Sequence, residues 1–289
     1  MVEKMRESRN IVYIEGWLHK KELQFESKNG KVCIMGTLEV RTDETNIIPV
    51  DVFAYELTKD GRTNTVFKGL QTVNNDYIDG TEVSNWKEAT KVRITSGKIR
   101  TNEYIGKNDN EVHIAVRYTT NFVNRVNDET FTPNASFRTE IILKNMRDET
   151  RNGDETGRGI IEGYYVDFSG NIMPVNYIID NPKMWEKIQG AIEKGSTIIV
   201  HGDIINKAET KEIVIESDFG EPERRIVTNT VRERVVKGIK YVEEGKEYIK
   251  EQIKAALEAK AKYYEQMKND AQFNKNMNNN DDLDSDLPF

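Results

Sequence analysis

One pattern of half-buried β-strands occurs twice along this 289-residue chain, and the repetition constrains the fold more than any other feature. Alternating apolar and polar residues predict a first set of five strands at 11–18, 31–40, 47–57, 91–99 and 111–118. A second set follows near 137–143, 158–166, 172–179, 197–205 and 213–216. The sequence therefore predicts two β-rich units that follow one another in the chain.

Three matched segments indicate that the two sets are diverged copies of one unit. Residues 30–36 (GKVCIMG) resemble 157–163 (GRGIIEG), and residues 47–51 (IIPVD) resemble 172–176 (IMPVN). Residues 94–99 (ITSGKI) share an apolar–Gly–x–Ile core with 199–204 (IVHGDI). Because the order is the same in both sets, duplication explains the pattern better than two unrelated β segments that share common strand residues.

The segment between the third and fourth strands differs between the two copies. The second copy has a helical stretch from Pro182 to Ile192, whereas the first has a longer, loop-like insertion at about 58–90. Five strands with a crossover between the third and fourth are the layout of the OB-fold, a small Greek-key barrel. We therefore predict a mainly β protein with two OB-fold units, a C-terminal helix and a disordered acidic tail. The predicted boundaries are 1–125 and 136–243 for the two units, with a strand extension at 226–242, then 244–268 for the helix and 269–289 for the linker and tail.

The predicted C-terminal helix carries one stripe of mostly apolar residues. Its members recur at alternating steps of four and three: Ile249, Ile253, Ala256, Lys260, Tyr263 and Met267. Such a stripe packs against a neighbouring surface, which is either a barrel or another subunit, although Lys260 interrupts it. A homo-oligomer is therefore one of two arrangements that the stripe allows.

Alternation along the strands also sorts the faces of the first unit, because neighbouring residues of a strand point in opposite directions. One phase is aliphatic and is predicted to fill the barrel: Val12, Ile14, Leu18, Val50, Val52, Ala54, Val92, Ile94, Val112, Ile114 and Val116. The other phase interleaves rings with bases, a composition suited to stacking nucleic-acid bases and following phosphates. The predicted nucleic-acid-binding residues are Tyr13, Trp17, Lys20, Lys21, Phe53, Tyr55, Arg93, Lys98, Arg100 and Arg117. The alternative for each ring is burial under the insertion or against the second unit.

The second unit is predicted to bind nucleic acid weakly or to serve mainly in assembly. Ile178 stands at the position that matches Phe53. Its rings are less regularly phased than those of the first unit: Tyr164, Tyr165, Phe168, Tyr177 and Trp185.

The chain ends in an acidic segment that differs from the rest of the sequence. The whole chain has a formal net charge of −7. From residue 269 onward there are five acids and one base, so the rest of the chain holds 44 acids and 41 bases. An Asn-rich stretch, 274–280, has no apolar periodicity and predicts a solvated tether.

The last nine residues are Asp281-Asp282-Leu283-Asp284-Ser285-Asp286-Leu287-Pro288-Phe289. Aspartates before an apolar-Pro-Phe end predict a docking peptide. Its Phe ring would fill an apolar pocket on a partner protein, and its aspartates would steer it towards the basic rim of that pocket. The alternative is a generic acidic tail.

This ending resembles the acidic tip of bacterial and phage single-stranded DNA-binding proteins. The resemblance implies non-sequence-specific coating of single-stranded DNA in replication, recombination and repair. It also implies recruitment of replication and repair proteins through Asp281, Asp282, Asp284, Asp286, Leu287, Pro288 and Phe289. The common bacterial protein has one OB unit per chain, so two units resemble a divergent, phage-encoded form. The rival hypothesis is a two-barrel replisome adaptor that uses the tip and does not itself bind DNA.

Other functional classes find little support in the sequence. His19, His113 and His201 are isolated and show no metal-ligand spacing, and neither a phosphate-binding Gly loop nor a nucleophile elbow is found. We therefore expect no enzymatic activity, no cofactor and no metal. Cys33 is the only cysteine, the N-terminus lacks an apolar signal region, and no apolar run is long enough to cross a bilayer. We expect a cytoplasmic protein with no membrane contact, associated with the nucleoid, or located in the host cytoplasm if phage-encoded.

Overall fold

Two closed β-barrels dominate the computed structural model, which describes residues 4–106, 108–151, 153–215 and 223–281. The first barrel consists of β1 (Asn10–Lys28), β2 (Lys31–Arg41), β3 (Ile47–Tyr55), β4 (Lys91–Ile105) and β5 (Val112–Thr120). Strand β1 pairs antiparallel with β2 and β4, β2 with β3, and β4 with β5, and a parallel pairing of β3 with β5 closes the barrel. This strand order is that of the OB-fold.

The second barrel repeats the same connections. A short strand, β6 (Asn124–Arg125), pairs with β4 and precedes β7 (Asn134–Arg151), β8 (Asp154–Val166), β9 (Ile172–Ile179), β10 (Thr197–Ile215) and β11 (Glu223–Tyr241). Strand β7 pairs with β8 and β10, β8 with β9, β10 with β11, and β9 lies parallel to β11. Antiparallel pairing of Asn10–Glu15 with residues 134–139 joins the two barrels. The predicted mainly β fold with two OB-fold units is confirmed.

The fifth strand of the second barrel is not where the sequence predicts it. Residues 213–215 are the end of β10, and β11, which the sequence indicates only as a strand extension, is the fifth strand. Strand β10 pairs with β7 only between Thr197 and Asp203, but with β11 along most of its length. The two strands therefore continue past the barrel wall as a hairpin, and the strand pattern alone does not show where the wall ends.

The insertion in the first barrel contains a helix, α1 (Thr65–Asp76), where the sequence predicts a loop. The side chain of Asn64 caps it by accepting a hydrogen bond of 3.0 Å from the Val66 amide. Phe67, Leu70 and Val73 are buried against the barrel. Their spacing of three residues is the signal that identifies this helix. A 3₁₀ turn (Trp86–Glu88) follows it, and the helical stretch predicted in the second barrel is α2 (Pro182–Ile188).

The C-terminal helix α3 (Lys250–Asp281) packs across both barrels and is longer than predicted. Ile253 lies in an apolar cluster with residues of the second barrel, while the Lys260 Nζ pairs with the Glu103 Oε2 of β4 at 2.6 Å. Lys260 therefore faces inward with the stripe because a buried acid meets it there. The predicted linker is helical through Asp281, since each added residue gains one hydrogen bond once the packed part has formed. Of the predicted docking tip, 281–289, residues 282–289 lie outside the described residues.

The predicted interior of the first barrel is buried on β1, β3 and β4. On β5 the prediction is wrong for Ile114, which is 49% exposed, whereas Val116 packs partly buried against the core and the buried residues are Tyr118 and Thr120. Strand β3 pairs with β5 only between Tyr118 and Thr120, whereas β4 pairs with it from Val112 onward. The start of β5 therefore belongs to a two-stranded hairpin beyond the barrel wall.

Candidate nucleic-acid interface

An open groove crosses the outer face of β2, β3 and β5 in the first barrel. Its volume is about 580 Å³, and it is lined by Met35, Gly36, Thr37, Asp51, Val52, Phe53, Arg100, Asn102, Arg117, Thr119, Thr120 and Asn121. Three of the residues predicted to bind nucleic acid, Phe53, Arg100 and Arg117, meet there. Strands 2 and 3 of an OB barrel are the face that binds oligonucleotides.

Strand register explains why these residues meet. Met35 lies opposite Phe53 and Thr37 opposite Asp51 across β2 and β3. Strand β5 lies parallel on the far side of β3. Because outward residues alternate with buried ones such as Val50, Val52 and Ala54, one face of the four neighbouring strands β2, β3, β5 and β4 carries most of the polar and aromatic groups of the groove.

Two arginines lie directly opposite each other at the floor of the groove. Arg100 of β4 and Arg117 of β5 are cross-strand partners and both are exposed. The Arg117 Nη1 lies 3.2 Å from the Asp51 Oδ2, while among the described residues no acid pairs with Arg100. Like charges opposite each other on a sheet are destabilising. One carboxylate for two guanidinium groups leaves the groove positively charged and suited to bind a phosphate.

Phe53 supplies an apolar ring beside these charges. The ring is 38% exposed, meets the Tyr55 ring edge-on with centroids 4.9 Å apart, and lies 5.9 Å below the Lys28 Nζ. Tyr55 is therefore a supporting ring, and Phe53 presents the free surface. An exposed ring next to cations is the arrangement that holds single-stranded nucleic acid by stacking.

Arg93 and Tyr13, both predicted to bind nucleic acid, belong to a network around the buried Glu15 and not to the groove. The Arg93 guanidinium donates two hydrogen bonds of 2.7 and 3.0 Å to the Glu15 carboxylate, the Thr132 amide donates one of 2.8 Å, and the Tyr13 hydroxyl donates another. Burial acts to raise the pKa of Glu15, but these hydrogen bonds outweigh it and the pKa lies below its ordinary value. Arg93 thus neutralises an acid between the barrels, and its contact with nucleic acid stays a prediction.

Trp17 lies in a separate ring cluster at the end of the first barrel. Its ring meets those of Trp86 and Phe131 edge-on, at centroid distances of 4.9 and 4.6 Å. The Arg41 guanidinium and the Lys91 Nζ lie 5.1 Å from the Trp86 ring and 5.0 Å from the Phe131 ring, respectively. The insertion and the linker between the barrels therefore partly cover Trp17, and its contact with nucleic acid stays a prediction.

The three predicted lysines have different surroundings. Lys21 is largely covered and pairs with Glu82 at 2.9 Å, and Lys20 pairs with Glu22 on its own strand. Lys98 is exposed and pairs with Glu7 at 2.6 Å, near Arg100. Of the three, Lys98 lies on the path that leaves the groove.

The corresponding face of the second barrel is neutralised by its own acids. Arg147 pairs with Glu162 at 2.9 Å, and Arg151 and Arg158 both pair with Glu149 and Glu233. Ile178, which matches Phe53, is only 9% exposed. This face offers neither a free cation nor a free ring to a ligand among these positions.

Other kinds of site are not evident in the described part of the chain. No group of three or more His, Cys, Asp or Glu side chains is arranged to hold a metal ion there, and His113 pairs with Asp109 at 2.8 Å. None of the described helices combines the length and the apolar character that a membrane span requires.

Comparisons with known proteins give a family match and distant structural likenesses. The family model described as YorF matches residues 8–270, and no curated protein matches. A deletion mutant of the single-stranded DNA binding protein from Thermus aquaticus is 11% identical with a TM-score of 0.46, covering 86% of this chain and 100% of that one. The wild-type protein is 11% identical with a TM-score of 0.44, covering 83% of this chain and 96% of that one. A Replication Protein A heterotrimer bound to ssDNA is 10% identical with a TM-score of 0.21, covering 80% of this chain and 50% of that one. At these identities and scores the function must be inferred from the groove itself.

Proposed function

The chain belongs to the YorF family, and we propose that it is a non-sequence-specific single-stranded DNA-binding protein. The observation that carries the proposal is the groove in which the exposed Phe53 ring lies beside Arg100 and Arg117. Phosphates can neutralise the opposed guanidinium groups, and a base can stack on the ring. Both contacts tolerate any sequence, because every nucleotide has a phosphate and every base has a π-face.

The proposed cellular role is to coat single strands exposed in replication, recombination and repair. Its support is the groove together with the acidic Leu-Pro-Phe ending of the sequence. We infer that the tip recruits replication and repair proteins, through Asp281, Asp282, Asp284, Asp286, Leu287, Pro288 and Phe289. An acidic segment with an apolar end suits capture by a basic-rimmed pocket on a partner.

Titration of the protein with oligo-dT at several salt concentrations tests DNA binding. The double variant Arg100→Ala/Arg117→Ala should bind more weakly, and its salt slope should fall by about 1.4 because two phosphate contacts of about 0.7 each are lost. The double variant Arg147→Ala/Arg151→Ala changes the net charge equally on the second barrel and is the matched control. Equal effects of both doubles would refute the groove as the binding site. No binding by the unaltered protein at low salt would refute single-strand binding itself and favour the adaptor hypothesis.

Removal of Leu287, Pro288 and Phe289 tests recruitment separately. The truncated protein should bind oligo-dT at least as tightly as the full chain, because an acidic tail competes with phosphate for basic groups. It should lose capture of replication and repair proteins in a pull-down, and Phe289→Ala alone should reproduce that loss. Unchanged capture would make the tail a solubilising segment only.

A further inference from the structure

Residues of the second barrel lie beyond both ends of the groove on the first barrel. We propose that a single strand bound in the groove continues onto both of them, contacting Arg232 at one end and stacking on Phe168 at the other. The inference rests on the proposed function and deepens it, because it makes the two barrels one composite binding site. Neither residue belongs to the set that the sequence predicts for nucleic-acid binding.

The Arg232 end is a second cavity that continues the groove. Its volume is about 600 Å³, and it shares Thr37, Asp51 and Arg117 with the groove. The opposite wall comes from the β10–β11 hairpin of the second barrel, through Asn206 and Arg232. A ligand that leaves the groove past Arg117 in this direction therefore meets the second barrel.

The hairpin is held in place across the first barrel. The Asn206 amide donates a hydrogen bond of 2.7 Å to the Asn46 Oδ1, and the Asn46 Nδ2 donates one of 3.2 Å to the Ile204 carbonyl. The Lys207 Nζ lies 3.5 Å from the Asp43 Oδ2. Because Arg232 is the cross-strand partner of Asn206, the same contacts fix its position.

Arg232 is available to a ligand, whereas the next outward-facing arginine is not. Arg234 is buried and donates hydrogen bonds of 2.9 and 2.5 Å to the carbonyl and side-chain oxygens of Asn176. Arg232 is exposed, and among the described residues no acid pairs with it. An exposed, unpaired guanidinium in a cavity that already holds Arg117 is suited to a second phosphate.

The Phe168 end is a third cavity, of about 340 Å³, that shares Arg100 and Thr119 with the groove. Lys98 and Phe168 line it. Phe168 lies in the turn between β8 and β9 and is 80% exposed, the highest value among the exposed large apolar residues of the described chain. A ring so exposed beside two cations is placed to stack on a base.

The turn that carries Phe168 is fixed by hydrogen bonds. The Lys4 Nζ donates a hydrogen bond of 2.9 Å to the Phe168 carbonyl and lies 5.4 Å from the ring centroid. The Asn171 amide donates one of 2.8 Å to the Asp167 Oδ1. The ring is therefore held outward with a cation beside it, which provides a stacking surface and a phosphate partner together.

Two of the three acids along this path are paired with cations. Asp51 pairs with Arg117 and Glu7 with Lys98, and both cations are more than half exposed. The third acid, Asp167, accepts hydrogen bonds from the backbone amide and the side chain of Asn171. Surface ion pairs such as the first two contribute little free energy, so a phosphate can replace either of those carboxylates. A strand long enough to leave the groove at both ends should therefore gain contacts that a short one cannot make.

The test compares Phe168→Ala and Arg232→Ala on dT oligomers of two lengths, about 4 and about 16 nucleotides, the range covered by single OB barrels. Both variants should bind the short oligomer as the unaltered protein does. On the long one, Phe168→Ala should lose roughly tenfold in affinity, and Arg232→Ala should lower the salt slope by about 0.7. Thermal unfolding of each variant reports that it is folded, and Arg232→Lys should keep most of the affinity.

Matched controls remove the same groups elsewhere. Tyr104→Ala removes a 46% exposed ring that stacks on His113, and Lys240→Ala removes an exposed cation from the same strand as Arg232. If the two test variants match these controls on the long oligomer, or weaken both lengths equally, the composite site is wrong while single-strand binding stands. An effect of only one variant overturns the contact at the other end. If the unaltered protein binds neither oligomer, the proposed function falls and this inference with it.

Discussion

Replacement of Asp51 by Asn is expected to raise the affinity of the protein for single-stranded DNA. The Asp51 carboxylate lies 3.2 Å from Arg117 and is the acid that lines the groove. It also accepts a hydrogen bond of 3.0 Å from the Thr37 hydroxyl, which the side-chain oxygen of Asn can accept equally well. The substitution therefore removes one negative charge and leaves the shape of the groove unchanged.

The expected gain follows from Coulomb's law. A phosphate held on the free edge of Arg117 would lie about 6 Å from the carboxylate, where two unit charges repel by about 0.7 kcal/mol at the dielectric constant of water. Removing that repulsion should lower the Kd about threefold. Because this is an interaction between exposed charges, it should shrink at about 1 M salt, where the Debye length is about 3 Å.

Fluorescence titration with oligo-dT at low and high salt measures the effect. Asp203→Asn is the matched control, because Asp203 is a half-exposed acid paired with Lys237 on the second barrel and its loss changes the net charge equally. Equal gains for both variants would show that only the overall charge matters. Weaker binding by Asp51→Asn would show that the acid positions Arg117 usefully, and either result would refute the assignment of phosphate to this edge of the groove.

Three further outcomes follow from contacts in the described residues. Phe53→Ala should weaken oligo-dT binding by about 1–3 kcal/mol without unfolding the barrel, whereas Ile178→Ala in the second barrel should lower the thermal unfolding midpoint and leave binding per folded molecule unchanged. Lys260→Met leaves the Glu103 carboxylate, 4% exposed, without its cation, so calorimetry should show a loss of about 3–5 kcal/mol in unfolding free energy. Burial raises the pKa of Tyr248 to about 12, so the folded state favours the neutral hydroxyl. The contribution of Tyr248 to stability is therefore complete below about pH 10 and is lost as the pH rises through 12. Tyr248→Phe should reduce that loss in a pH series of unfolding midpoints.

The parts of the fold that could be predicted are those in which the residue type, apolar or polar, indicates directly whether the side chain is buried. Strands predicted at 31–40 and 47–57 are found at Lys31–Arg41 and Ile47–Tyr55, because a half-buried strand has an apolar residue at every second position. The duplication was visible for the same reason, since both barrels need buried residues at the same places.

The parts that could not be predicted depend on residues that are distant in the sequence. Strand β1 continues to Lys28, ten residues past its predicted end, because the hairpin beyond the barrel wall is exposed on both faces and shows no alternation. The outward position of Arg93 is correct, but Glu15, 78 residues earlier, occupies its guanidinium. Lys260 likewise interrupts the apolar stripe in the sequence, but Glu103 of β4 lies opposite it and neutralises it. Single-sequence patterns identify which face a charge is on, and not what neutralises it there.

The same distinction explains why one barrel of a duplicated pair has the groove. Both barrels carry arginines on the corresponding face, so composition alone would make them equal candidates. In the second barrel Glu149 and Glu233 each pair with the two arginines Arg151 and Arg158, so both of these guanidinium groups have a carboxylate within 3.5 Å. In the first barrel the face with Arg100 and Arg117 has one acid, Asp51, which pairs with Arg117. The hairpin of the second barrel adds an unpaired Arg232 beside this face. The balance of acids on each face, rather than the number of bases, makes the first barrel the surface that can bind a polyanion and the second barrel the one that completes it.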